Sequence, residues 1–338
     1  DQGLAAKTAA GRKYWAYGGD YGEYGTPSDG DFCINGIVYP DRSVKPQTEE
    51  MGKVYQNIKF FDFDPAASAV KIRNDFSFTN LDKYDFHYIV RHHGKEIYKG
   101  RIKDIKAEPG QTVTSPFLNG IPATNSSTGD VRIEFYAAIR TPEPFLPAGT
   151  VIAREQTYVH TFHKEDAPKQ AFAGSEEDDR QVVFSGPHFK ATFDKQSGLL
   201  VSYRYKKQEY IHNGQGPRPF FWRAPTDNDY GAKLPVRLKA WKEASYQEPK
   251  AESFNVVRDK DTTAVKVTYR FPQTDARWDI TYKVYGNGVI KVDNHFVAEN
   301  AQTPMIPRVG LRMRLPARNT SLTYYGRGPE ENYRARRT

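Results

Sequence analysis

A chain of 338 residues predicts two or three domains if each domain holds about 150 residues. Its formal net charge is +8, but lysine and arginine alternate with acidic residues along most segments, whereas a nucleic-acid interface needs them clustered. The sequence also lacks the run of about 20 apolar residues that a membrane-spanning helix requires. Neither nucleic acid nor a membrane is therefore an expected partner.

The composition favours short strands separated by turns. The chain has 22 tyrosines and 20 phenylalanines, and its 22 prolines and 26 glycines are spread along its length. Cys33 is the only cysteine, so no disulfide can form within the chain and its folding depends on a hydrophobic core. The predicted fold class is mainly β, with two consecutive antiparallel β-sandwich domains that follow a short βα segment.

The N-terminal segment, residues 1–60, predicts one βα unit. Residues 1–13 are polar and predict a loop, and the aromatic and apolar residues 14–17 predict a strand that ends at Gly18-Gly19-Asp20. A long ordered loop follows and contains Phe32-Cys33-Ile34-Asn35-Gly36. Loops of this kind usually carry function.

A helix is predicted over residues 47–59. Pro46 suits a first helical turn, Glu49 and Glu50 favour the positive end of the helix dipole, and apolar residues then recur at helical spacing. A strand, a loop and a helix in this order form the repeating unit of a TIM barrel, whose catalytic face consists of the loops after its strands. The loop that contains Asn35 is therefore predicted to belong to such a rim.

Beyond residue 60 the helical period gives way to an alternation of apolar and polar residues. His93-Gly94-Lys95 predicts a tight hairpin turn between two of the resulting strands. The pattern predicts an immunoglobulin-like sandwich over residues 61–165, without the disulfide of that fold. Its strands are predicted at residues 69–79, 85–91, 96–102, 111–115, 131–139 and 151–161.

Residues 166–180 are charged, contain Pro168 and Gly174, and predict a linker. Alternating patterns then resume and predict a second, larger β-sandwich over residues 181–338, with its last strands missing. Its strands are predicted at residues 182–185, 189–193, 199–205, 254–257, 264–271, 278–284, 289–298 and 310–315.

Residues 214–246 interrupt this second region. Two prolines and the triplet Asp227-Asn228-Asp229 argue against a regular strand there. Arg223 is expected to pair with Asp227 or with Asp229 and so to lock the loop. Trp241 is expected on a short helix.

Three stretches resemble the β-galactosidases of glycoside hydrolase family 2. The first runs from Gly18-Gly19-Asp20 to Phe32-Cys33-Ile34-Asn35-Gly36, the second is residues 222–229 (WRAPTDND) and the third is residues 325–333 (YGRGPEENY), in the order of the family. The resemblance implies the C-terminal portion of such an enzyme: the end of its TIM barrel, an immunoglobulin-like domain and part of a supersandwich domain. In the family, both catalytic glutamates lie before the first stretch.

For the intact enzyme, the resemblance implies hydrolysis of terminal non-reducing β-D-galactosides with retention, through a galactosyl-enzyme intermediate. The chain alone is predicted to be inactive, with the remainder of the parent enzyme as its partner. A helix face that lacks its apolar neighbours also predicts self-association into a homo-oligomer. The alternative is a non-catalytic carbohydrate-binding or assembly module that binds an oligosaccharide through aromatic residues. The compartment, periplasm or cytoplasm, stays open.

Phe32 and Asn35 are the candidate metal ligands that the resemblance implies. In family enzymes that bind sodium near the sugar, a phenylalanine main-chain carbonyl and an asparagine side chain at these motif positions help to hold the ion, and oxygen ligands suit such a cation. The alternative is that Asn35-Gly36 is a turn and nothing more. Ser28 stands where related enzymes have an asparagine near a second metal, and this departure puts a magnesium role in doubt.

Asp20, Asp227, Asn228 and Asp229 are candidates for the active-site rim. Asp20 follows two glycines at a strand end, where its carboxylate can bind a sugar hydroxyl or fix the loop. The three residues of the later triplet can reach the sugar pocket of the intact enzyme or, alternatively, hold their own loop by hydrogen bonds.

No catalytic residue is assigned within the chain. Retention needs two carboxylates about 5 Å apart, one as nucleophile and one as acid/base. None of the acidic pairs has independent support for that role: Glu49 and Glu50, Asp227 and Asp229, Glu330 and Glu331.

Overall fold

The structure is a computed structural model that describes residues 3–28, 30, 32–116, 129–159, 174–259, 262–300 and 303–326. Within these ranges every strand pair is antiparallel, and no helix is long and apolar enough to cross a membrane. The chain divides into two compact units: the first is Asp1–Glu165 with Tyr324–Thr338, and the second is Asp166–Thr323. The mainly β fold class is confirmed.

The N-terminal residues form a hairpin where a loop was expected. β1 (Leu4–Lys7) pairs with β2 (Lys13–Ala16), and Ala5 lies opposite Trp15. The loop prediction over residues 1–13 is therefore wrong for β1. Its Leu-Ala-Ala-Lys sequence has little strand preference of its own, and pairing with an aromatic neighbouring strand selects the extended conformation.

The predicted helix exists but is shorter. α1 (Pro46–Tyr55) ends at Tyr55 rather than at residue 59, because β3 (Ile58–Asp64) begins three residues later. Ile58 and Phe60 are buried in the core of the first unit. Burial of two large apolar side chains outweighs the gain from one more helical turn.

The first unit contains a β-sandwich, as its alternating pattern predicts. The strands after β3 are β4 (Ala69–Asn74), β5 (Tyr84–His92), β6 (Lys95–Ile102), β7 (Thr112–Pro116), β8 (Val131–Ile139) and β9 (Val151–Tyr158). One sheet has the order β3-β4-β7 and the other β6-β5-β8-β9. Phe60 of the first sheet stacks on Phe135 of the second, with ring centroids 5.6 Å apart, so the core lies between the sheets.

Two local features set strand ends in this sandwich. His93 and Gly94 have φ angles of 47° and 77° and form the two-residue turn between β5 and β6, which confirms the predicted hairpin. β4 ends at Asn74 rather than at residue 79, because the buried Asn74 amide donates to the carbonyls of Thr79 and Ala107 at 2.8 Å each. These bonds turn the chain away from the sheet.

The second unit contains a larger β-sandwich. Its strands are β10 (Gly174–Glu177), β11 (Gln181–Ser185), β12 (Phe189–Asp194), β13 (Leu200–Tyr205), β14 (Gln208–Glu209), β15 (Arg218–Phe220), β16 (Ser253–Arg258), β17 (Thr262–Phe271), β18 (Ala276–Tyr285), β19 (Ile290–Ala298) and β20 (Gly310–Arg312). One sheet has the order β10 to β14, another β16 to β19, and β15 pairs with β20. Phe193 and Tyr282 meet between the two larger sheets, with ring centroids 5.2 Å apart.

Residues 214–246 contain one strand, the three-residue β15. They contain the helices α2 (Asp227–Gly231), α3 (Leu234–Arg237) and α4 (Lys239–Tyr246). Trp241 lies on α4, as predicted, and is fully buried. Trp241 and Ala244 thereby attach the helix to the core of the second unit.

The predicted linker, residues 166–180, is partly a strand. Residues 166–173 lie outside the described residues, but β10 pairs with β11 at the edge of its sheet. Glu177 forms ion pairs with Lys195, at 2.8 Å, and with Arg258. Glu176 and Glu177 of the predicted linker therefore lie on an exposed edge strand. Residues 327–333, which belong to the third family-like stretch, also lie outside the described residues.

Candidate functional site

The loop after β2 begins with a turn that Asp20 fixes. The Asp20 carboxylate accepts a hydrogen bond from the Tyr17 N–H at 3.0 Å, and the Asp20 N–H donates to the Tyr17 carbonyl at 3.1 Å. A Cβ atom on Gly19 would lie 2.4 Å from the Tyr17 ring and 2.7 Å from Ser28 Oγ, so a larger residue there would displace these side chains. The Asp20 side chain is exposed, so it can also meet a ligand.

The buried Lys45 side chain binds the backbone in the middle of this loop. It is only 6% exposed, and its ammonium group donates to the carbonyls of Ile34 and Gly36 at 2.5 and 2.6 Å. The same group lies 5.1 Å from the centroid of the Tyr39 ring, within range of a cation–π contact. The two carbonyls flank Asn35, so Lys45 fixes the backbone on both sides of this candidate ligand.

No pattern in the sequence marks Lys45 for this role. It is one lysine among many, followed by a proline, and only its burial in the structure distinguishes it. A second bond, from the Thr48 hydroxyl to the Ile37 carbonyl, attaches the end of the loop to the first turn of α1. The loop is thus anchored on the helix that follows it.

α1 is in turn attached to the sandwich of the first unit. The Lys53 ammonium lies 2.7 Å from the Glu155 carboxylate on β9, and Arg154 of the same strand pairs with Glu49 at 3.1 Å. The buried Gln56 accepts a hydrogen bond from the Arg154 N–H at 3.0 Å. The contacts therefore run from β9 through α1 to the loop.

Phe32 and Asn35 offer oxygen atoms that fit a hard cation. Among the described residues, neither the Phe32 carbonyl nor the Asn35 amide takes part in a hydrogen bond, and the Asn35 side chain is exposed. A neutral carbonyl and a neutral amide are ligands of the kind that sodium accepts. The described part of the chain has no group of three or more His, Cys, Asp or Glu side chains that could hold a metal.

The second unit carries the other candidates on α2. Asp229 is buried and forms a bidentate ion pair with Arg223, at 2.7 and 2.8 Å. It also accepts a hydrogen bond from the Thr226 N–H at 2.9 Å, and this bond, with the nearby guanidinium, lowers the pKa of Asp229 below its ordinary value. Of the two expected partners of Arg223, the structure selects Asp229, which fixes its own loop.

Asp227 and Asn228 differ from their neighbour because their side chains are exposed. Both lie in the first turn of α2, where the positive end of a helix favours the carboxylate of Asp227. Their side chains can contact a ligand, whereas the bonds of Asp229 to Arg223 and Thr226 fix the backbone of the same turn. The Asp20, Phe32 and Asn35 group belongs to the first unit and the α2 group to the second.

Three family models match consecutive parts of the chain. Residues 1–60 match "Glycosyl hydrolases family 2, TIM barrel domain", residues 70–160 match "Beta-galactosidase, domain 4" and residues 185–338 match "Beta galactosidase small chain". The first match covers the loop anchored by Lys45, and the third covers α2.

Curated relatives align along nearly the whole chain. It is 32% identical over 340 residues to a β-galactosidase of Priestia megaterium, with 100% of this chain and 32% of that protein covered. It is 32% identical over 336 residues to a β-galactosidase of Clostridium acetobutylicum, with 98% of this chain and 36% of that protein covered. The chain thus spans about a third of the length of these relatives.

Replacement of Lys45 by methionine tests the anchoring of the loop. Lys45→Met keeps the apolar stem and removes the charged donor, so we expect a loss of about 1.5–3 kcal/mol in the free energy of unfolding. Hydrogen exchange should also speed up at residues 33–37. Lys7→Met, at an exposed position on β1, is the control and should stay within about 0.5 kcal/mol of the wild type. Unchanged exchange in Lys45→Met would contradict the anchoring role.

Replacement of Asp229 by asparagine tests the ion pair through its pH dependence. The pKa of Asp229 is lowered in the folded protein, so its stabilisation is complete above the ordinary aspartate pKa of about 3.9 and is lost as the pH falls toward the folded-state pKa. Urea denaturation should therefore show Asp229→Asn less stable than the wild type near neutral pH, with a difference that shrinks in acid. Asp227→Asn is the exposed control. A difference that stays constant down to about pH 3 would argue against this linkage.

Proposed function

Because this chain belongs to the β-galactosidase branch of glycosyl hydrolase family 2, we propose that it forms part of a retaining β-galactosidase that hydrolyses terminal non-reducing β-D-galactosides. One observation carries the proposal: the barrel match over residues 1–60 coincides with an anchored loop that presents Asp20, Phe32 and Asn35. Loops after barrel strands form the active-site face of such enzymes.

The catalytic carboxylates are proposed to lie upstream of this chain. Retention needs two of them about 5 Å apart. Within the described residues, Glu49 pairs with an arginine on β9 and Asp229 with Arg223, so both serve local structure. Glu330 and Glu331 lie outside those residues. On this proposal the 338-residue chain is inactive until it joins the remainder of the enzyme.

The residues of this chain then bind and orient the substrate. Asp20, Asp227 and Asn228 have exposed polar side chains that can accept or donate hydrogen bonds to sugar hydroxyls. Lys45 acts as a positioning residue, because it fixes the backbone around Asn35. Self-association into a homo-oligomer is also part of the proposal.

We further propose that the Phe32 carbonyl and the Asn35 amide help to hold a sodium ion, which would bind a sugar hydroxyl when present. The Lys45 ammonium takes the carbonyls of Ile34 and Gly36, which leaves these two oxygens for the ion. Further ligands would come from elsewhere in the enzyme. For magnesium there is less support, because Ser28 offers a hydroxyl that already accepts a hydrogen bond from the Gly30 N–H at 3.3 Å.

Activity assays test the proposed function directly. The purified 338-residue chain should not hydrolyse o-nitrophenyl β-galactoside, whereas the complete gene product should. In the active product, NMR should detect the β-anomer of galactose first, because retention passes through two inversions. Addition of the separately expressed upstream segment to the chain should restore activity.

Two results would contradict this proposal. Turnover by the 338-residue chain alone would show that it contains its own catalytic groups. A complete gene product that lacks turnover but binds an oligosaccharide saturably would favour the carbohydrate-binding module instead.

A sodium titration tests the ligand role of Asn35. In the complete gene product, Asn35→Ala should raise the sodium concentration for half-maximal activity about tenfold, the effect of roughly 1.4 kcal/mol of lost binding energy. Potassium should replace sodium to keep the ionic strength constant. Asn255→Ala, at an exposed position on β16, is the matched control. The same sodium dependence in Asn35→Ala and the wild type would exclude the proposed ligand.

A further inference from the structure

The second unit contains a cleft that has no part in the proposed hydrolysis. Its volume is about 290 Å³, and it lies between β15, the end of α4 and β17. None of its lining residues belongs to α2 or to the Asp227-Asn228-Asp229 triplet. The volume is close to the lower limit of about 300 Å³ for small-molecule sites.

Arg218 is the unusual residue of this cleft. It is only 8% exposed, yet its nearest charged partner, Glu248, is 3.8 Å away, beyond hydrogen-bond distance. Among the described residues, its guanidinium group makes no hydrogen bond. None of its nitrogen atoms is among the fully buried ones that lack a partner in the described part of the chain, so its five N–H donors face the water of the cleft. The group is therefore suited to an acceptor that enters from the cleft.

The backbone around Arg218 is fixed in advance. β15 pairs with β20, so Arg218 lies opposite Arg312. On one side, the Pro217 carbonyl accepts a hydrogen bond from the buried Tyr282 hydroxyl at 3.1 Å. On the other side, the Phe221 N–H donates to Ser245 Oγ at 2.9 Å. A ligand would therefore meet a guanidinium carried by a backbone that is already ordered.

The charges that line the cleft favour an anion. Arg270 is satisfied by Glu252 at 2.7 Å and by Glu299 at 2.6 Å. Arg218 and Lys250 are the lining cations that lack a close ion pair. Glu248 is 3.8 Å from Arg218, and Lys250 has no ion pair among the described residues. The lining also contains two carboxylates: Glu252 pairs with Arg270, and Glu248, whose side chain is 92% exposed, can move away from Arg218. The lining side chains thus carry three positive and two negative charges.

The walls of the cleft favour an organic anion over an inorganic one. Pro219, Ala244 and Phe271 contribute apolar surface beside the charged groups. An inorganic ion would leave this surface in contact with water, whereas a carbon skeleton would cover it. The planar fork of a guanidinium matches a carboxylate with two parallel hydrogen bonds.

We propose that this cleft binds a small organic carboxylate, with Arg218 as the bidentate partner of the carboxylate group. Lys250 adds a second positive charge, and Glu248 competes with the ligand for Arg218. The proposal is independent of galactoside hydrolysis, because it concerns a different part of the second unit.

Calorimetric titration of the 338-residue chain with benzoate tests the proposal, and benzamide is the neutral control of the same shape. We expect saturable binding of benzoate and at least about tenfold weaker binding of benzamide, as the loss of a charge-assisted pair implies. Arg218→Gln should weaken benzoate binding about tenfold, and Glu248→Gln should strengthen it, because the competing carboxylate is gone.

Further variants separate binding from folding. Arg218→Lys keeps the charge but not the planar fork, so it should bind benzoate more weakly than the wild type while it retains the fold. A thermal melt checks the fold of each variant. Equal binding of benzoate and benzamide, or unchanged binding in both Arg218→Lys and Glu248→Gln, would overturn the proposal. Inorganic phosphate that binds as tightly as benzoate would overturn the assignment of an organic ligand.

Discussion

The packing of Phe221 determines the geometry of the polar regions in the second unit. Its ring is fully buried, 4.7 Å from the centroid of Trp241 and 5.3 Å from that of Trp278. Arg218 lies three residues before it and Arg223 two residues after it, so neither backbone can move far without opening this aromatic cluster. Removal of such a ring from a core costs about 3–5 kcal/mol. The hydrophobic core thus fixes the backbone that carries both guanidinium groups.

Three buried or partly buried cations show how these loops use charge. Lys45 is satisfied by two backbone carbonyls and Arg223 by the carboxylate of Asp229, so each holds a loop in one conformation. Separation of such a cation from its partners is costly, because an unpaired charge would stay buried. Arg218 has the same degree of burial as Asp229 but lacks a hydrogen bond within the described residues. Lys45 and Arg223 therefore have structural roles, whereas Arg218 is suited to bind a ligand.

Periodic burial could be predicted from the sequence, and contacts remote in sequence could not. The alternating residues of β8 predict its bounds, because they match a strand with one face in the core. The end of α1 cannot be predicted from spacing alone, because Ile58 fits a helical face as well as a sandwich core, and only tertiary packing decides between them. Lys45 could not be found, since its partners become visible only when the loop closes around it.

The candidate ligand loop is attached through α1 to the sandwich of the first unit. β9 pairs with α1 through Glu155 and Lys53, and α1 follows directly after Lys45, which binds the carbonyls on both sides of Asn35. Ordering the loop costs conformational entropy, and these contacts together offset that cost. These contacts give Asn35, a proposed rim residue, a fixed backbone without any contribution from the proposed catalytic carboxylates.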